Sequence, residues 1–76
     1  MKYHLPAGVT ERLDAGATIF IALRQHHEMP MEFVAEYAGI EVERLWEIEG
    51  GVEPTPEERQ ALAIAYGVDE SVLRDY

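Results

Sequence analysis

Residues 31–51 read MEFVAEYAGIEVERLWEIEGG. Two helix-length segments, Met31–Ala38 and Val42–Glu49, flank a short turn. In the first, Val34, Ala35 and Ala38 fall on one side. In the second, Leu45 and Ile48 lie three apart with Ile40 just before them, so each segment offers one apolar stripe to a core. Gly39 suits the left-handed residue that ends a helix, and Gly50-Gly51 stops the second segment. Four of the eleven residues between Gly39 and Gly51 are glutamate, and one, Arg44, is basic.

Outward from this stretch, punctuation at Gly8, Gly16, Pro30, Pro54, Pro56 and Gly67 predicts further short helices. Ala17–His27 places Phe20, Leu23 and His27 at helical spacing with Ile19 beside them. Thr55-Pro56-Glu57-Glu58 is a capping box with proline at the first helical position. The helix it opens carries Leu62, Ala63 and Tyr66 on one side and stops at Gly67. A last short helix starts at Asp69 and runs through Val72 and Leu73. GVTERLDAG, in the first sixteen residues, supports one helical turn around Val9 and Leu13. No alternating strand pattern is present. The expectation is an all-α bundle of four to five short helices, divided into an N-terminal lead-in, 1–16, and a domain, 17–76.

Seventy-six residues, 47% of them hydrophobic, make one small core. Cysteine is absent, so neither a disulfide framework nor a thiolate metal site is available. The longest apolar run, IFIAL at 19–23, is far from membrane-spanning length, and the N-terminus lacks a signal-peptide core. The expected setting is cytoplasmic. The net charge of −9 is concentrated: residues 28–58 hold ten acids and one base, and the remainder is neutral. Such a face repels phosphate and attracts basic partners, although a merely solvated surface carries the same charge.

Helix, three-residue turn, helix is the helix-turn-helix arrangement. The run from Leu23 to Val68 resembles the Cro/cI-like, or XRE-type, domain of phage repressors and many bacterial regulators. The matching residues are Leu23-Arg24, Val34-Ala35, Gly39-Ile40, Leu45, Ile48-Glu49, Gly51, Pro54 and the run Leu62–Val68. The preceding LPAGVTERLDAG is similar to the lead-in of a subgroup of antitoxin-like proteins, through Leu5-Pro6, Val9, Arg12-Leu13 and Gly16. This resemblance implies a regulator or antitoxin-type component that binds double-stranded operator DNA, dimerises through Val72, Leu73 and Tyr76, and couples Arg24 to Glu49 as a structural ion pair.

It also implies which positions meet DNA. The start of the helix at Met31 would grip phosphate, and the helix at Val42 would read bases. The first place holds Pro30, Met31, Glu32 and Phe33, where relatives carry capping hydroxyls and glutamine. The second holds Glu41, Val42, Glu43, Arg44, Trp46 and Glu47. Six to ten phosphate contacts are ordinary for such proteins, and the whole chain has six Lys+Arg. Arg44 is expected to pair with Glu43, Glu47 or Glu41. Met31, Phe33, Trp46 and Ile21 replace polar, solvent-facing residues of relatives, as either a protein interface or a repacked core that takes them in would require. The alternative function is therefore a scaffold whose acidic face binds a basic protein, such as a toxin. His26-His27-Glu28 points its side chains apart, and no nucleophile, phosphate-loop or paired-acid pattern occurs. Neither catalysis nor a metal or other cofactor is expected.

Overall fold

The computed structural model describes residues 4–76 as six α-helices: α1 (Ala7–Asp14), α2 (Ile19–His26), α3 (Met31–Ala38), α4 (Val42–Glu49), α5 (Pro56–Tyr66) and α6 (Glu70–Asp75). No strand occurs among the described residues. The count exceeds the expected four to five because GVTERLDAG forms a full helix and not a single turn. The first three residues of the 1–16 lead-in lie outside the described residues.

Local chemistry explains the boundaries. The Thr18 hydroxyl caps α2 by accepting from the Ile21 amide. The Thr55 hydroxyl and Glu58 carboxylate complete the reciprocal capping box of α5. Asp69 caps α6 through the Ser71 amide. Gly39 and Gly67 end α3 and α5 in the left-handed region, at φ 72° and 71°. Each is followed by an aliphatic residue, Ile40 or Val68, whose amide donates back to Ala35 or Ala63 at 3.0 Å and whose side chain packs on the core. Glu28 occupies the equivalent position after α2 at φ 55°. A glutamate there carries a steric cost that glycine would not, about 1–2 kcal/mol.

The core draws on every helix: Val9 from α1; Ile19, Phe20, Ala22 and Leu23 from α2; Val34 and Ala35; Leu45 and Ile48; Leu62, Ala63 and Tyr66; and Val72 and Leu73 from α6. α1 packs on α2, α2 on α4, α3 on both α4 and α5, and α5 on α6. The lead-in is thus part of the packed unit, with Val9 fully buried. Gly8 permits the close approach of α1 to α2: a Cβ there would stand 3.0 Å from His26 Nδ1. His27, expected to share the inner face of α2, is exposed beyond the helix end.

Tyr66 carries the one discordant note in this core. Its ring is buried, but its hydroxyl finds no hydrogen-bond partner among the described residues. Burial, reinforced by the nearby Glu49 carboxylate, pushes its pKa above the usual tyrosine range. An unsatisfied buried hydroxyl costs about 1–3 kcal/mol. Tyr66→Phe is therefore expected to raise stability by about 1 kcal/mol in denaturant melts; a loss of similar size would show that the hydroxyl is bonded in solution.

Candidate functional site

The surface built by α3, the turn and α4 divides into residues that hold the fold and residues that face solvent. Glu49 belongs to the first group. Its carboxylate receives Arg24 Nε at 2.6 Å and Nη2 at 3.1 Å, and its backbone carbonyl accepts the Thr18 hydroxyl at 3.0 Å. One residue of α4 thereby holds both ends of α2. Arg24 also donates to the Met29 carbonyl at 3.0 Å, fixing the loop into α3. Glu49 is buried, and its hydrogen bond raises the Arg24 pKa further.

Arg44 is held from the opposite flank, and by a partner outside its own helix. Its Nε and Nη2 meet the two Glu58 carboxylate oxygens at 2.8 and 2.9 Å. Glu47 stands at 3.5 Å and the Glu53 carbonyl at 3.3 Å. The expected pairing within α4 is thus met in part: Glu47 makes the longer contact, neither Glu41 nor Glu43 takes part, and the closest partner is Glu58 on α5. The geometric reason is that the capping box already orients Glu58, whose Oε1 also accepts the Thr55 amide at 2.8 Å. A preset bidentate acceptor outcompetes mobile glutamates on the same helix. Arg44 is therefore engaged on α5, with its guanidinium only partly open to solvent.

The Arg44 guanidinium and the Thr55 amide hold the Glu58 carboxyl down to about 2 from 4.5. A lowered carboxylate pKa means that the pair stabilises the fold fully above pH 4.5, and that this stabilisation is lost as pH falls through about 2. Glu58→Gln preserves a capping acceptor but removes the charge. It is expected to cost about 1–2 kcal/mol at neutral pH. The gap to wild type should close as denaturant melts are carried down through pH 2. A gap independent of pH would assign the loss to capping instead.

What faces solvent is apolar and acidic. On α4, Trp46 is 70% exposed, with Val42 one turn before it and Glu43 and Glu47 alongside. Glu41, at the N-cap, is exposed and makes no side-chain cap. On α3, Pro30 occupies the N-cap without a side-chain bond, Glu32 is exposed, and Phe33 is 50% exposed. Phe33 meets Tyr37, one turn on, at a ring separation of 6.1 Å. Met31 does not join this surface. It is half-buried and packs against the edge of the core, nearer to the repacked-core alternative than Phe33 or Trp46. Tyr37 and Val52, also exposed, escaped the sequence reading; the four-residue spacing of Phe33 and Tyr37 was the available signal for the first.

Two of the three residues expected at a dimer contact are not available for one. Val72 and Leu73 are buried in the chain's own core, because α6 needs both to cover the end of α5. Tyr76 is 48% exposed and lines, with Phe20, Leu73 and Arg74, a cleft of about 530 Å³. Arg59 and Arg74 both pair with Glu70. No helix among the described residues is long and apolar enough to cross a membrane. No family model, curated protein or solved structure matches the chain.

Proposed function

We propose that the chain is an XRE-like helix-turn-helix scaffold whose acidic face, on the exposed side of α4, binds a basic protein. The observation that carries this reading is the engagement of Arg44 with Glu58 on α5. Arg44 is the single base in residues 28–58, so the face left to a partner consists of Glu41, Glu43, Glu47, Val42 and Trp46. Phosphate neutralisation supplies most non-specific DNA affinity, and this face offers none. An exposed tryptophan among acids has the composition of a protein-binding hot spot with an electrostatic rim.

A second reading is supported by the two eight-residue helices, α3 and α4, joined through Gly39, Ile40 and Glu41. This is the arrangement expected of an operator-binding regulator or antitoxin-type component, with a basic second subunit supplying the missing cations. A fluorescence-anisotropy titration of labelled duplex DNA at low salt separates the readings. The isolated chain is expected to give a flat response. Micromolar binding that weakens with salt would overturn the protein-binding reading. A response that emerges only with a basic protein present would favour the two-component regulator.

A further inference from the structure

Trp46 is not an isolated exposed ring. With Ile21 of α2 and Val52 beyond Gly50-Gly51 it lines an open, mostly apolar groove of about 370 Å³, to which Glu47 and the Arg24-paired Glu49 also contribute. We infer that this groove seats an apolar anchor side chain of a basic amphipathic helix, whose lysine or arginine side chains then meet Glu43 and Glu47. The inference rests on the protein-binding reading and specifies its mode.

Three observations select this occupant. First, Glu43 and Glu47 lie one turn apart on the same face of α4, an unfavourable like-charge spacing that an external cation relieves. Glu47 has only the 3.5 Å contact with Arg44, whose shorter bonds go to Glu58. Second, a second copy of the chain is a poor occupant. A two-fold contact centred on Trp46 would set the same acidic rim against itself, in a protein of net charge −9. Third, no strand edge exists among the described residues, so pairing by main-chain addition has no template. A helix that presents one apolar stripe and one cationic stripe satisfies both the groove and its rim.

The test uses the full chain, whose only tryptophan is Trp46, and two synthetic lysine-rich peptides of equal length and charge. One carries leucines at i, i+3, i+4 and i+7; the other has serine and glycine in their place. The expected result is a blue shift of Trp46 emission with the first peptide and an affinity about thirtyfold above the second. Trp46→Ala, read through a labelled peptide, should lose about the same factor. Glu43→Gln with Glu47→Gln should weaken binding and flatten its salt dependence. Circular dichroism should be unchanged in both variants, since all three residues are exposed. If both peptides bind equally with no emission shift, or Trp46→Ala binds as wild type, the groove inference is overturned while the acidic-face reading stands. If neither peptide binds, both are overturned.

Discussion

Glu49→Ala is expected to unfold most of the domain at modest temperature. The substitution leaves the Arg24 guanidinium, with only 16% of its side chain exposed, beside a core that offers no other carboxylate contact among the described residues. Removing one member of such a buried pair costs about 3–5 kcal/mol. A 76-residue domain has a net stability of only roughly 4–11 kcal/mol. The midpoint of thermal unfolding should therefore fall by about 15–30 °C. The double exchange of Arg24→Met with Glu49→Leu removes both charges and should recover most of the loss, because an apolar pair needs no compensation. Glu43→Ala, on the exposed side of the same helix, should change stability by less than about 0.5 kcal/mol. Equal effects from Glu49→Ala and Glu43→Ala in the same melts would remove Glu49 from the scaffold.

The second large effect concerns binding. Exchanging Glu41, Glu43 and Glu47 for lysine is expected to create duplex DNA binding in a titration where the wild-type chain is expected to stay flat. Each exchange removes a repulsive charge and supplies an attractive one at a solvent-exposed position of α4. With up to three new phosphate contacts, affinity should enter the range of roughly 1–100 µM at low salt, and its logarithm should fall with log salt at a slope near −3. Glutamine at the same three positions removes the repulsion without adding cations, and should bind far more weakly than the lysine variant. If the lysine variant also gives a flat response, α4 is not presented in a way that a duplex can use, and the helix-turn-helix reading of the scaffold loses its main support.

These two experiments follow the division between what was and was not legible in the sequence. Helix spacing placed Met31–Ala38 and Val42–Glu49 at the boundaries the structure gives, because glycine closes each segment and Val34, Ala35, Leu45 and Ile48 recur at helical spacing. The capping box at Thr55 and the cap at Asp69 were equally legible, being interactions within three residues. Pairings across the fold were not. Arg44 and Glu58 are fourteen residues apart and on different helices, so spacing along α4 directed attention to Glu41, Glu43 and Glu47 instead. The glutamate of the capping box was already visible; what was hidden is that one of its oxygens is shared with α4. Val72 and Leu73 illustrate the reverse error. Two adjacent apolar residues on a terminal helix look available to a second subunit, and only the three-dimensional packing shows them spent on the chain's own core. The helix of the lead-in has a weak signal in the sequence because Pro6, which opens α1, offers no polar cap to announce it.

The bidentate arginine pairs have a consequence for how α4 meets anything at all. Arg24 reaches it from α2 through Glu49, and Arg44 leaves it for α5 through Glu58, so the helix is guyed from both flanks like a mast. Its outward side chains are mounted on a backbone with little freedom left to lose. Preorganisation of this kind lowers the entropy cost of association. A partner drawn in by the negative field would meet a helix already in place, so ordering on capture would be confined to exposed side chains such as Trp46 and Glu43.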